Sequence, residues 1–285
     1  VNVLVLGGAG LLGQPLRREL SARGHFVVAP THQELDITRP DQVARLAAGE
    51  FGEFDWIINC AAYTAVDRAE SDAETAYAVN AVAPSYLALN CRFMGARLLH
   101  LSTDYVFGGA EGSGPWKEND PVAPQGVYAR AKREGEEAIL DSGASAVIVR
   151  VAWLFGPDGP CFPRAILVRA RESGAVRVVN DQVGTPTYTP ALASALVDLI
   201  ETEPESGVFH LPGPESVTWF AFAERLIRAA NVTAAVTPVT TAEYPTPAIR
   251  PKDSRLDGSK LAEMGIQLSG TLDDHIRDYL AHNRG

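Results

Sequence analysis

Val3-Leu4-Val5-Leu6-Gly7-Gly8-Ala9-Gly10-Leu11-Leu12-Gly13 is the stretch that decides the fold. Four apolar residues run into a glycine turn, and residues 11–22 then carry leucine at helical spacing, at Leu12, Leu16 and Leu20. A short apolar strand, a tight turn and a helix open a βαβ unit on a buried parallel sheet. The glycines are spaced G-x-x-G-x-x-G over Gly7, Gly10 and Gly13, rather than G-x-G-x-x-G. The physics is unchanged. Missing side chains let a pyrophosphate reach the backbone, and a helix N-terminus favours its charge. The position between strand and helix separates this turn from a plain one.

Working outward, short apolar runs at 26–29, 56–58, 97–101 and 146–151 alternate with helical stretches at 41–48, 70–94 and 128–140. A bend is expected near Pro84. This alternation predicts an α/β fold, a Rossmann-type doubly wound parallel sheet with helices on both faces. A ligand then belongs at the carboxyl ends of the strands. After residue 155 the pattern is punctuated by Pro and Gly at 156–163, 184–190, 212–214 and 245–251. The predicted division is a dinucleotide-binding domain over 1–155, to which 186–212 returns. Residues 156–185 and 213–285 would form a smaller substrate-binding lobe.

The 285 residues are 46% apolar and 21% charged, enough for a sizeable core and against long-range disorder. A formal net charge of −10 argues against a nucleic-acid partner. The apolar runs are too short for a membrane span, and the opening run reads as a strand rather than a signal peptide. Cys60, Cys91 and Cys161 form no CxxC pair and the histidines no HxxxH spacing, so no metal site is expected from the residues. The expected location is a reducing cytoplasm.

A carboxylate at the tip of the second strand would hold the ribose 2′-hydroxyl of NAD. Here the tip reads Pro30-Thr31-His32, with Glu34 and Asp36 further on. Thr31 and His32 could donate to a 2′-phosphate, so the reading leans to NADPH, with NADH as the alternative. Tyr128 and Lys132 stand at i and i+4, on one helix face. A neighbouring ammonium is expected to lower the Tyr128 pKa from about 10 and make it a proton donor to a carbonyl under reduction. Ser102-Thr103-Asp104-Tyr105-Val106-Phe107 follows the fourth strand and should lie at the ligand end. There a hydroxyl can hold a substrate carbonyl beside Tyr128. Trp153, just after the fifth strand, is either a core aromatic or a platform for a sugar. Trp116 lies in a polar loop expected near the cleft.

At these residues the sequence resembles the extended short-chain dehydrogenase/reductases and, within them, the dTDP-4-dehydrorhamnose reductase family. The resemblance covers almost the whole chain. It is carried by the glycine turn, residues 59–67, Ser102 to Phe107, Tyr128 to Lys132, Asn180-Asp181-Gln182, Gly184-Thr185-Pro186-Thr187, residues 244–247, Arg250-Pro251 and Ser254-Arg255-Leu256. It implies reduction of the 4-keto group of dTDP-4-dehydro-6-deoxy-L-mannose to dTDP-L-rhamnose. Tyr128 would be the proton donor, Lys132 the ribose ligand, and Thr103 the carbonyl ligand. Gly10, Leu11, Leu12, Asp36, Ile37, Ala61, Ala62, Tyr63 and Ser102 would meet the dinucleotide. Asp104, Phe107, Trp153, Asn180, Gln182 and Arg250 would meet the sugar nucleotide. Asn80 resembles a structural asparagine of the superfamily, or is a plain helix-surface amide. Homodimers, some with Mg at the interface, are also implied. The alternatives are a 4-ketoreductase for another dTDP-deoxysugar and a non-catalytic NADP-binding regulatory subunit.

Overall fold

Strand side chains in the first half alternate between two apolar layers, and this alternation holds the sheet between helices. The computed structural model describes residues 1–283. Residues 284 and 285 of the expected second lobe lie outside the described residues. The chain opens with β1 (Asn2–Leu6), α1 (Gly13–Ala22), β2 (Phe26–Val28), α2 (Pro40–Ala47) and β3 (Trp56–Asn59). Two short helices, α3 (Val66–Ala69) and α4 (Ala73–Tyr77), lead through a π-helical turn (Ala78–Val82) into α5 (Ala83–Met94). There follow β4 (Arg97–Thr103), a 3-10 turn (Asp104–Phe107), α6 (Gly126–Asp141) and β5 (Ala146–Val151). The second half runs β6 (Leu154–Phe155), α7 (Phe162–Ser173), β7 (Ala175–Val179), β8 (Val183–Gly184), β9 (Thr187–Tyr188) and α8 (Thr189–Glu201). It ends with β10 (Gly207–His210), β11 (Val217–Thr218), α9 (Trp219–Ala229), β12 (Ala235–Val239), α10 (Ser259–Ala262) and α11 (Leu272–His282).

The main sheet has six strands in the order β10-β5-β4-β3-β1-β2, and every pairing in it is parallel. Val3 and Val5 of β1, Trp56 and Ile58 of β3 and Val147 and Val149 of β5 face the layer of α1 and α8. Leu4, Leu6, Ile57 and Ile148 face the layer of α2, α5 and α6. β2 lies on one side of β1 and β3 on the other, so the connection reverses there and a crevice opens at the strands' carboxyl ends. A separate apolar cluster joins α7, α9 and α11 with β7 and β9 around Phe155, Phe222 and Tyr279.

Two local expectations are corrected. β4 runs on through Ser102 and Thr103, so these residues end a strand rather than start a loop. The helical stretch expected over 70–94 starts later, at Ala73, and runs to Met94 through a π turn (Ala78–Val82) just before Pro84, near the expected bend. Proline has no N–H and its ring clashes with the carbonyl four residues back, so the preceding turn widens. Among the described residues no helix is long and apolar enough to cross a membrane.

Candidate active site

The glycine turn packs so closely that side chains have no room. Gly7 sits at φ +71°, and a Cβ there would stand 2.7 Å from the Ala61 nitrogen. A Cβ on Gly13 would collide with the Gly7 carbonyl. No side chain caps the N-terminus of α1, where the Gln14 N–H donates to the Gly10 carbonyl at 3.1 Å, and the positive end of the helix favours an anion there. Asp158 roofs this end, paired with Arg18 at 2.7 Å, while its carbonyl accepts from Gln14.

Two adjoining cavities flank the turn. One, of about 360 Å³, is lined by Gly7, Gly10, Thr31, His32, Asp36, Ile37, Ala61 and Ala62. The other, of about 530 Å³, is lined by Gly10, Leu11, Leu12, Gly13, Ser102, Thr103, Asp104, Tyr128, Lys132 and Trp153. The glycine turn and the two cavities that meet at Gly10 together could hold a dinucleotide. Tyr63 lies nearby, its main chain clamped by both amide atoms of buried Asn80 at 2.9 and 3.0 Å. Asn80 is therefore not a surface amide.

At the tip of β2 the structure corrects one expectation. Glu34 folds back, and its carboxylate accepts from both the Thr31 N–H and the Thr31 hydroxyl at 2.8 Å. The Thr31 donors are thus occupied, and a negative charge does sit at this tip. His32 is largely exposed, 3.8 Å from Asp36.

Tyr128 stands in the first turn of α6, edge-on to Tyr105 with ring centroids 5.4 Å apart. Burial pushes its pKa up to about 12, while Thr103 pulls the other way. The lowering expected from Lys132 is not found. Lys132 instead donates to the Leu101 carbonyl at 2.6 Å and meets His100 Nε2 at 3.1 Å. Burial brings Lys132 down to about 8, against the pull of Glu136 and Cys60. Asp104 is 2% exposed, and burial raises its carboxyl to about 7. Its Oδ1 accepts from Thr103, and its Oδ2 has no partner. A buried acceptor left unpaired is costly unless a ligand donor completes it.

Beneath α6 the carboxyl ends of the strands carry a polar row of which the sequence reading had singled out only Ser102. Asn59 and His100 are register partners, as are Ser102 and Arg150, and Arg150 and His210. Arg150 grips Glu136 through Nε at 2.8 Å and Nη2 at 2.7 Å, and Ser102 donates to the same carboxylate at 2.6 Å. The available signal was a polar residue near the carboxyl end of each otherwise apolar strand.

A family model described as the RmlD substrate binding domain matches residues 1–284. The dTDP-4-dehydrorhamnose reductase of Mycolicibacterium smegmatis is 38% identical over 267 residues, 93% of this chain and 80% of the relative. The chain belongs to the dTDP-4-dehydrorhamnose reductase family. That family membership makes it an NAD(P)H-dependent oxidoreductase. A probable dTDP-4,6-dihydroxy-2-methyloxan-3-one 4-ketoreductase of Streptomyces antibioticus is 40% identical, over 92% of this chain and 89% of the relative. The crystal structure of dTDP-4-dehydrorhamnose reductase from Bacillus anthracis in complex with NADP superposes with a TM-score of 0.92 at 32% identity, covering 99% of both chains.

A further cavity has a volume of about 600 Å³. It is lined by Asp67, Arg169, Arg177, Gln182, Trp219, Tyr244 and Arg250. Three arginines against one aspartate suit an anionic ligand. Arg250 is held by Asp67 at 2.7 Å, and Gln182 is buried and donates to Thr241. Arg169 and Arg177 were not singled out from the sequence, where nothing distinguishes them from surface arginines. Trp153 and Trp219 stack at 3.5 Å between centroids and separate this cavity from the catalytic one. Trp153 holds φ at 50°, a conformation that side chains rarely adopt and that persists where packing enforces it.

Three placements differ from expectation. Phe107 does not line the cleft; it is 2% exposed, stacked on Trp116, with Arg150 over its other side. Trp116 is buried in the same cluster and donates to the Asp253 carbonyl, so it is packing and not a cover. Asn180 is exposed at the end of β7, where it accepts from Thr218, and lines neither cavity. Both aromatics bury their area where the 3-10 turn and the 114–116 loop meet residues 253–256. Among the described residues of the chain no three His, Cys, Asp or Glu are grouped so as to hold a metal ion.

Proposed function

We propose that the chain reduces the 4-keto group of dTDP-4-dehydro-6-deoxy-L-mannose to give dTDP-L-rhamnose, with NADPH or NADH as reductant. The observation that carries this is one cleft holding the glycine turn, Thr103, Tyr128 and Lys132, with an arginine-lined cavity on the far side of the Trp153–Trp219 stack. When bound, the dihydronicotinamide supplies the hydride. Tyr128 supplies the proton to the carbonyl oxygen. With its pKa near 12, the phenol is fully protonated at neutral pH and gives up its proton only to a stronger base, which a developing alkoxide is. Thr103 orients that oxygen. Asp104, with its unpaired Oδ2, accepts from a sugar hydroxyl. Arg169 and Arg177 hold the diphosphate, and the Trp pair excludes water from the carbonyl.

The Streptomyces antibioticus relative supports a second reading, in which the substrate is another dTDP-deoxysugar. A cytoplasmic location and a homodimer belong to the same proposal; light scattering on purified protein tests the latter. The central test is oxidation of NADPH and NADH with dTDP-4-dehydro-6-deoxy-L-mannose made in situ. Oxidation abolished by Tyr128→Phe supports the reading. Coenzyme binding with no oxidation of this sugar, but turnover of another dTDP-4-keto sugar, moves the assignment to the second reading.

A further inference from the structure

His100 lies on β4 under α6, 1% exposed, and makes no contact with either cavity. Its hydrogen bonds form a chain whose direction is fixed at one end. The Ala61 N–H donates to Asn59 Oδ1 at 3.1 Å. That bond sets the orientation of the Asn59 amide, so the Asn59 NH₂ faces His100 Nδ1, also at 3.1 Å. An NH₂ can only donate, so Nδ1 must accept. A neutral imidazole that accepts at Nδ1 carries its proton on Nε2. Nε2 stands 3.1 Å from Lys132 Nζ.

An ammonium has three N–H groups and no lone pair. Against an Nε2–H it would set donor on donor in a buried site, which is expensive. A neutral amine resolves the conflict: it accepts from Nε2–H and donates to the Leu101 carbonyl at 2.6 Å. Every alternative breaks a bond elsewhere. Moving the proton to Nδ1 sets it against the Asn59 NH₂. Turning the Asn59 amide then sets that NH₂ against the Ala61 N–H. A charged ring faces both conflicts at once, and burial together with Lys132 holds His100 well below its ordinary pKa.

We infer that His100 is a positioning residue for the reduction: at mildly alkaline pH it holds Lys132 as a neutral amine, and Lys132 takes up a proton on leaving His100 for the coenzyme. The inference rests on the coenzyme-site reading above. Lys132 then has two stations, and its cationic role at the ribose and beside Tyr128 belongs to the second. The groups around Lys132 leave a window in which its proton can be followed alone. Burial sets the Cys60 thiol and the Tyr128 phenol both near 12. Asp104 titrates near 7. Glu136, one turn further along α6, is held ionised by Arg150, Ser102 and Arg133. Between pH 8.5 and 9.5 none of these changes charge.

The test is calorimetric binding of NADH and NADPH at pH 9, in two buffers of different ionisation enthalpy, to wild type, His100→Gln and Lys132→Met. Wild type is expected to take up about one proton per coenzyme. By linkage, its Kd should rise about tenfold per pH unit through this window. His100→Gln offers a carbonyl that accepts from an ammonium, so Lys132 starts charged; both proton uptake and the pH slope should largely disappear. Lys132→Met should abolish both. No uptake in wild type, unchanged uptake in His100→Gln, or persistent uptake in Lys132→Met would each overturn the inference while leaving the coenzyme site intact. Failure of wild type to bind either coenzyme would overturn that reading and this inference with it. A second measurement needs no variant. In ¹⁵N-histidine spectra of wild type at pH 9, where Lys132 is neutral, His100 should carry its proton on Nε2, and a proton on Nδ1 would refute the chain.

Discussion

Replacing Arg150 by Met keeps the length and most of the volume of the side chain and deletes its charge. In the native fold Arg150 is 1% exposed and Glu136 fully buried. Arg150 supplies the two-pronged grip on that carboxylate. After Arg150→Met, Glu136 keeps only Ser102 and the partly exposed Arg133 at 3.0 Å. Breaking a buried pair from one side costs about 3–5 kcal/mol, because the surviving charge is stranded. Since Arg133 remains, the lower end is expected, about 3 kcal/mol. Unfolding entropy of roughly 2.1 cal/mol/K per residue gives ~0.6 kcal/mol/K for this chain, so the midpoint should fall by about 5 °C. Glu136→Leu combined with Arg150→Met should recover most of that loss, because an apolar pair of similar volume replaces a buried ion pair at little cost. Urea and thermal unfolding of the two single variants and the double variant form a complete cycle. A loss below about 1 kcal/mol in Arg150→Met, or a double variant no more stable than it, would refute the view that a stranded carboxylate dominates.

Tyr128→Phe is expected to lower kcat by about 10²–10⁴-fold, the usual yield of a positioned general acid, while coenzyme Kd from fluorescence titration stays within threefold. Asp104 has a folded pKa near 7, above the usual carboxylate value near 4. In that interval the native state binds more protons than the unfolded one, so stability falls as pH rises from about 4 to 7. Asp104→Asn should flatten this segment of a Tm-versus-pH curve, and an unchanged slope would contradict the assignment. Trp219→Ala removes the ring behind Trp153 and should raise KM for the sugar nucleotide about tenfold while coenzyme Kd holds; stacking of this kind is worth about 0.5–1.5 kcal/mol beyond its area.

The parallel sheet, the order of its helices and the glycine turn were legible because each depends on local facts. Apolar runs bound strands, leucines at helical spacing make a helix, and three glycines mark a backbone that something must approach. The bounds of β5 at residues 146–151 follow from a continuous apolar run, and the shared face of Tyr128 and Lys132 from a period of 3.6 residues, both of which a sequence displays directly. The resemblance added the sugar-nucleotide end, which no periodicity announces. What stayed illegible depends on neighbours far apart in the chain. Glu34 turning its charge back onto Thr31 is a loop conformation, and Phe107 and Trp116 entering one cluster is a tertiary contact. Arg250 meets Asp67 from 183 residues away. The protonation chain from Ala61 to Lys132 exists only because β3 and β4 lie side by side with Asn59 opposite His100. Sequence by itself therefore determined which residues were available for chemistry. Tertiary structure decided their charge states and partners, because desolvation and hydrogen-bond direction are properties of a folded environment rather than of a residue.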